Sequence, residues 1–508
     1  MRVASQLSKS MPAALVPAGA RRGHRVEPKA ETTYGSWDPV DSSFLLREWA
    51  GRVRGIWWTR LGGRDGIAAA STARLEALVR FARAQSPLYR EAYRHVPEDR
   101  FFGLRQLPVV TRHALMERFD DWVTDREISR AGVEAFLADR AHIGWRFLDR
   151  YTVWKSSGTT GEPGIYVQDR EALGTYDALV AAQLCSPRLL PRCALGSFGK
   201  GGRAALIAAT GDHFASITSW QRVCHANPWL DARGFSVLQP LPELVAGLND
   251  YKPAFLASYP TMLSLLAEEA AANRLQIEPA LLWSGGEYLS PAAQLQIERA
   301  FDCPLINEYG ASECLSIAYG CDRGWLHVNA DWVLLEPVDA QYLPVAPGEP
   351  SASVLLTNLA NWVQPIIRYD LADSIVMNPD ACPCGSPLPA IRVEGRCDDV
   401  VSLHGPAGHD VRLLPLALAT VVEEALEAHR FQIVQTGARE LTVRLDIHPD
   451  SARHAAWNAV AGVLRAYLLR QSLPNVRLVL DARAPVVDRR SGKLRQVIVA
   501  MPRHPAAH

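Results

Sequence analysis

No uninterrupted apolar run in this chain approaches the roughly 18 residues that a membrane-spanning helix needs. The apolar stretch 413–419 is far shorter and carries Pro415. Excess charge of one sign is lacking as well: Lys+Arg and Asp+Glu both number 54. No global field therefore argues for a nucleic-acid partner or an anionic membrane. No secretory leader is expected, because Pro12 and Pro17 interrupt the apolar stretch near the N-terminus. Cysteine is sparse, 9 in 508 residues. Without a secretory leader, that usage points to a reducing cytoplasmic setting rather than a disulfide scaffold. There is no internal repeat, and no low-complexity segment beyond the N-terminal tail.

The chain's 508 residues exceed one compact core, and roughly 100–200 residues per domain predicts several units. Hydrophobic content of 48% and charged content of 21% are those of an ordinary soluble chain. Residues 1–40 are small, basic and proline-containing, with Arg2, Lys9, Arg21, Arg22, Arg25 and Lys29. They read as a disordered tail, with an organelle transit peptide as the alternative reading. Residues 42–61 and 72–93 have apolar side chains near helical spacing. The Trp49, Trp57 and Trp58 stripe reads as core. An extended approach follows at 107–112, with Thr111 as a helix cap.

From 151 to 395, short apolar runs alternate with helical stretches. Residues 204–209, 254–258, 281–284 and 304–307 read as buried strands. Residues 260–273 and 291–301 read as helices between them. This predicts an α/β fold, with a ligand crevice at the carboxyl edge of its sheet. After Arg396 the pattern changes to a small α+β domain. Residues 413–429 and 452–469 read there as helices, and 431–434, 441–447 and 476–480 as strands. The expected architecture is a large α/β domain over 41–395, with β-sheets and flanking helices, and a small C-terminal domain over 396–503.

One loop carries the first chemical signal. Ser156, Ser157, Gly158, Thr159, Thr160 and Gly161 form an unbroken Ser/Thr/Gly run after a strand at 151–154. Its exposed N–H groups and hydroxyls suit phosphate oxygens. It is not a Walker A loop, because no Gly-Lys-Ser/Thr closes it.

Further motifs follow in order: Ser284-Gly285-Gly286-Glu287, Asn307-Glu308-Tyr309-Gly310-Ala311-Ser312-Glu313, Arg368-Tyr369-Asp370-Leu371-Ala372-Asp373, Gly395-Arg396-Cys397-Asp398-Asp399 and Gly492-Lys493-Leu494-Arg495. With the loop, this series resembles the adenylate-forming superfamily of acyl-CoA synthetases, aryl acid ligases and nonribosomal adenylation domains. The resemblance implies ATP bound by the loop residues 156–161 and by Gly286, Glu287, Tyr309, Gly310, Ser312, Asp373 and Arg396. Tyr309 would pack on adenine, Ser312 would contact the α-phosphate, Glu313 would bind Mg²⁺, and Asp373 and Arg396 would serve the ribose. Asp398 would be the hinge of a mobile C-terminal domain, and Lys493 the catalytic cation. Tyr259, Trp283 and Gly285 stand beside motifs as candidate walls of the acid pocket. Two departures stand out. Glu162-Pro163-Gly164 has no lysine where the family often has one, and Asp370-Leu371-Ala372 replaces Arg-Thr-Gly.

Cys382-Pro383-Cys384-Gly385 is a tight thiolate pair, and Cys321 and His327 lie six residues apart. Three sulfurs and one imidazole make a structural zinc set, with Cys314 as an alternative to Cys321. A similar arrangement marks zinc-bearing proteins of the phenylacetate-CoA ligase-like branch. That branch implies an aryl or arylacetic acid activated as its adenylate and passed to coenzyme A. Transfer to an amine such as an amino acid, transfer to a carrier-protein thiol, and a non-catalytic nucleotide-binding protein are the alternative readings. No nucleic-acid or membrane partner is expected, and a homodimer is possible.

Overall fold

The computed structural model describes residues 42–97, 103–156, 163–227, 230–394, 400–406, 409–426, 431–447, 449–486 and 495–500. The basic tail, loop residues Ser157 to Gly161, Arg396, Asp398 and Lys493 lie outside the described residues.

Among the described residues, nine strands form the main sheet. Five of them are parallel. In spatial order they are Leu305–Ala311, Leu281–Gly285, Phe255–Ser258, Ala204–Ala208 and Ala232–Ser236. Helices Ala215–Ala226, Leu241–Tyr251, Pro260–Ala271 and Pro291–Phe301 make the crossovers. Residues 205–208 are buried without alternation, as expected of a strand covered on both faces. The first strand in the chain lies between the second and third, so the order reverses beside Ala204–Ala208 and Phe255–Ser258. Open sheets of this kind bind ligands where the strand order reverses, beyond the carboxyl ends.

Strand Ala232–Ser236 was not legible in sequence. It is an edge strand containing Arg233 and Gly234, and its side chains are only partly covered, so it has no apolar signature. The sheet continues antiparallel through Cys314–Gly320, Leu326–Val328, Ala390–Glu394 and Ser374–Met377. A second antiparallel sheet pairs Val333–Val338, Ser353–Asn358 and Ile366–Asp370. Thr152–Lys155 and Ile165–Gln168 form a hairpin around the Ser/Thr/Gly loop.

Two large apolar clusters hold these layers. One joins Leu78, Tyr89, Trp122, Trp154, Tyr166, Leu356, Ile367 and Tyr369. The other joins the parallel strands and their helices, through Ile207, Leu248, Leu266, Leu282 and Ile297, to Val401, Leu418, Ile433 and Leu464 of the C-terminal part. Each such side chain contributes about 1.5–3 kcal/mol on full burial. The C-terminal part contains the hairpin Val401–His404/Asp410–Leu413, the helices Pro415–Glu423 and Asp450–Arg470, and a mixed four-stranded sheet. It lies against the parallel half. Gln471 Nε2 donates to the Leu238 carbonyl at 3.0 Å, and Arg412 pairs with Glu268.

The N-terminal helices correct one expectation. Trp57 and Trp58 are exposed and Trp49 is largely so, while Val53 and Ile56 are buried. Helix Ser42–Leu61 packs on Ala178, Leu179, Ala181 and Ala182 of helix Arg170–Leu184. That small-residue face admits a narrow aliphatic stripe rather than indoles. Thr111 is the expected cap, its side chain accepting from Ala114 N at 3.4 Å. No helix of the described residues is long and apolar enough to cross a membrane.

Candidate active site

The hairpin around the loop determines what the loop faces. Trp154 and Tyr166 are register partners across it. Trp154 Nε1 donates to the Ser312 carbonyl at 2.8 Å, and the Tyr166 hydroxyl donates to Glu313 Oε1 at 2.6 Å. Two cross-strand neighbours thus pin the root of the loop to the turn that ends strand Leu305–Ala311. The root itself is closed twice. Ser156 N donates to the Gly164 carbonyl at 2.9 Å, and Gly164 N donates to Ser156 Oγ at 2.8 Å. Glycine is required at 164 by close approach, since a methyl group there would lie 2.6 Å from Cζ of the buried Tyr166 ring.

Glu313 is buried, and its carboxylate is gathered at one oxygen. Oε1 accepts from the Tyr166 hydroxyl, from the Tyr369 hydroxyl at 2.7 Å, and from Arg112 Nη2 at 3.3 Å. Asn358 Nδ2 holds the Glu313 backbone carbonyl at 3.0 Å. Burial raises the Tyr166 and Tyr369 phenols well above their ordinary pKa. They remain protonated and serve the carboxylate as donors. Sequence reading missed Tyr166 and Arg112. Arg112 immediately follows the Thr111 cap, and Tyr166 lies five residues beyond Gly161, so proximity to recognised features was the available signal.

Tyr309 donates through its hydroxyl to Asp373 Oδ2 at 2.8 Å, which brings two of the expected nucleotide residues together. Burial, followed by the Asp373 charge, raises this phenol too. Asp370, standing where the family has arginine, is bound by Tyr342 at 2.8 Å and by Ser353. Arg368 and Ala372 flank that turn at φ 51° and 55°. Burial of Arg368 and its bonds to Glu336 and the Leu107 carbonyl hold the first, and Ala372 N donates to Asp370 Oδ1 at 2.9 Å.

The Gly-Gly-Glu turn follows the neighbouring parallel strand. Gly286 has φ 81°, which favours glycine, and a side chain there would press on the Tyr259 ring at 3.2 Å. The Tyr259 hydroxyl accepts from Ala209 N at 3.2 Å, bridging the strands where the sheet order reverses. Glu287 accepts from Thr261 Oγ1 at 2.7 Å. Trp283, partly buried, packs against Leu189, Leu281 and Ile306. Its indole donates to Glu308 Oε2 at 2.9 Å, while Ser316 Oγ donates to Oε1 at 2.8 Å. Burial raises the Glu308 carboxyl to about 7. Gly285 is the register partner of Glu308. Where the family often has a lysine late in the loop, the described cation nearby is Lys155 at its start. Lys155 Nζ pairs with Asp212 at 2.6 Å.

At the far end of the antiparallel strands, Cys321, His327, Cys382 and Cys384 converge. Their four donor atoms all lie within 4.8 Å of one another. Cys321 Sγ and Cys382 Sγ are 3.8 Å apart, and His327 Nε2 is 3.1 Å from Cys384 Sγ. His327 Nδ1 lies 3.2 Å from the Leu388 carbonyl, so Nε2 is the nitrogen turned to the sulfurs. Tetrahedral zinc with sulfur at about 2.3 Å requires sulfurs about 3.8 Å apart, so this donor set fits that ion. Cys314 is outside the group. It is buried beside the Tyr176 hydroxyl, and burial raises its thiol to about 12.

No protein-family profile matches the chain. A phenylacetate-coenzyme A ligase from Thermus thermophilus is 24% identical over 355 residues, covering 67% of this chain and 73% of that protein. Protein CapK from Staphylococcus aureus is 24% identical over 137 residues, 27% of this chain and 29% of that one. The crystal structure of a 2-hydroxyisobutyryl-CoA ligase with 2-HIB-AMP and CoA aligns at TM-score 0.50 and 22% identity, covering 85% of this chain and 89% of that one. The fold is that of the adenylate-forming enzymes. In sequence, the chain is similar to the phenylacetate-coenzyme A ligase just described.

Proposed function

We propose that the protein is an AMP-forming ligase. A carboxylic acid attacks the α-phosphorus of ATP and releases pyrophosphate, leaving an acyl-adenylate. The thiol of coenzyme A then loses its proton, attacks the acyl carbon and expels AMP. The observation that carries this reading is the meeting of Tyr309–Asp373 and Glu313 at the carboxyl edge of the parallel sheet, around the root of the Ser/Thr/Gly loop. The likeness to a phenylacetate-coenzyme A ligase supports coenzyme A as acceptor and an aryl or arylacetic acid as substrate.

Within this reading, Tyr309 offers a flat surface to adenine, and Asp373 accepts the ribose hydroxyls. Ser156 and the loop residues 157–161 supply donors to the phosphates. Gly286, Glu287, Gly310 and Ser312 would border the nucleotide, Ser312 at the α-phosphate. Tyr259, Gly285 and Trp283 border the acid. Glu313 would hold Mg²⁺, which neutralises phosphate charge when bound and takes one or two carboxylates among its ligands. Cys321, His327, Cys382 and Cys384 would hold a structural zinc. Arg396, Asp398 and Lys493 keep the roles their motifs imply: ribose contact, hinge and catalytic cation on a mobile domain of residues 396–503. The test is pyrophosphate release with ATP and a panel of aryl, arylacetic and aliphatic acids, followed by addition of coenzyme A or amino acids. No acid-dependent pyrophosphate would refute the reading, and an amide product would replace coenzyme A as acceptor.

A further inference from the structure

Tyr166, Tyr369 and Arg112 reach Glu313 from three separate segments, and all three converge on Oε1. The two phenols also contact each other at 3.2 Å, and Arg112 Nε donates to the Tyr369 hydroxyl at 3.2 Å. Among the described residues, Oε2 of Glu313 has no hydrogen-bond partner. A carboxylate oxygen has two lone pairs, and here three donors already surround one of them. Both phenol rings are buried, Tyr166 completely. Gly164 leaves room for the Tyr166 ring edge where any side chain would press on it. The two phenol rings are therefore fixed beside Oε1 by the packing around them.

Resting on the reading of Glu313 as the Mg²⁺ ligand, we propose that Tyr166, Tyr369 and Arg112 are positioning residues that reserve Oε1 and so restrict Glu313 to one-oxygen coordination through Oε2. The consequence is selectivity. Ca²⁺ accepts two-oxygen carboxylate coordination at 6 to 8 ligands, whereas Mg²⁺ demands a small, near-octahedral shell and retains waters. A carboxylate with one oxygen blocked disfavours the larger ion. Removing the donors frees Oε1 and opens the two-oxygen mode.

The test uses the full chain with a non-cleavable α,β-methylene ATP and Mn²⁺ as a paramagnetic probe. Bound Mn²⁺ is read by electron paramagnetic resonance while Mg²⁺ or Ca²⁺ is titrated as competitor. In Tyr166→Phe and Tyr369→Phe, Ca²⁺ should displace Mn²⁺ at roughly ten-fold lower concentration than in the wild type, with Mg²⁺ competition little changed. Ten-fold corresponds to about one hydrogen bond to a charged group. An unchanged Ca²⁺-to-Mg²⁺ ratio in two variants with wild-type circular dichroism overturns the clamp alone. Should one variant fail to fold, Arg112→Lys, which keeps the charge but loses the fork, should move the ratio in the same direction, and no movement also overturns the clamp. Wild-type Mn²⁺ binding in Glu313→Gln would instead overturn the metal assignment underneath it.

Discussion

The Tyr309 hydroxyl donates to Oδ2 of Asp373 at 2.8 Å, joining the last parallel strand to the residue just before strand Ser374–Met377. The two residues are 64 positions apart. The bond orients a carboxylate beside an aromatic ring, which is the pairing a nucleoside needs. If Asp373 accepts the ribose hydroxyls, it acts in the ground state as well as the transition state. Asp373→Ala should then raise KM for ATP with little change in kcat. Hydrogen bonds to a charged group contribute about 1.5–3 kcal/mol, so the rise should be roughly ten- to a hundred-fold. Tyr309→Phe keeps the ring and removes only the tether, and should show a smaller rise. Unchanged ATP dependence in Asp373→Ala would mean that this carboxylate does not touch the sugar.

Glu308 offers a pH test. Burial lifts its carboxyl from the ordinary 4.5 to about 7. Below pH 4.5 it is protonated in both folded and unfolded chains, and ionisation carries no penalty. Between 4.5 and 7 the unfolded chain loses the proton while the folded one keeps it, so stability falls as pH rises. Above 7 both are ionised and the penalty is constant. Glu308→Gln keeps an acceptor for Trp283 and gives Ser316 Oγ a donor. Its stability advantage should grow between pH 5 and pH 7, then level off at something on the order of 3 kcal/mol. Denaturation curves at pH 5, 6, 7 and 8 measure it. A gap that does not vary with pH would place the titration elsewhere.

The motifs were legible because each ends a short apolar run, and strand ends are where an open parallel sheet presents its side chains. Leu281–Gly285 and Leu305–Ala311 could be read this way, and so could Tyr309, Glu313 and Asp373. The supports of those residues could not. Tyr166 reads as one more alternating strand residue, and Arg112 as a polar residue after a cap. Only the hairpin register, and the bridge of Val110 to Tyr369 on strand Ile366–Asp370, bring them to Glu313. Glu308 was passed over for the same reason: its burial is created by Trp283 and Ser316 on neighbouring strands. The aromatic stripe at Trp57 and Trp58 misled because helical spacing defines a face without saying which face meets the core.

Zinc can be tested directly. Protein purified without chelator should carry about one zinc per chain, by elemental analysis. Cys384→Ser should lower both the zinc content and the melting temperature, because binding energy at such a site is folding energy. Cys314→Ser should leave zinc content unchanged, since that thiol is turned to Tyr176 instead. Metal-free wild-type protein would remove zinc from the account.

The last prediction separates the two half-reactions, and it depends on residues known from sequence alone. Lys493 follows a glycine in the C-terminal motif, and Asp398 stands in the hinge motif. An ammonium between the carboxylate and the α-phosphate offsets charge as it accumulates during adenylate formation. Attack of a thiol on a finished adenylate has no such need. Lys493→Ala should therefore lose adenylation by about 10²–10³, as other single electrostatic groups do. Given synthetic acyl-adenylate, it should still acylate coenzyme A at a near-normal rate. Asp398→Pro should do the reverse, because proline fixes φ and opposes the rotation. The packing of residues 401–473 on the parallel half raises the stakes, since an alternative placement must give up part of that apolar contact. If Lys493→Ala slows both halves equally, the C-terminal part works from a single closed placement and the alternation proposed for it does not occur.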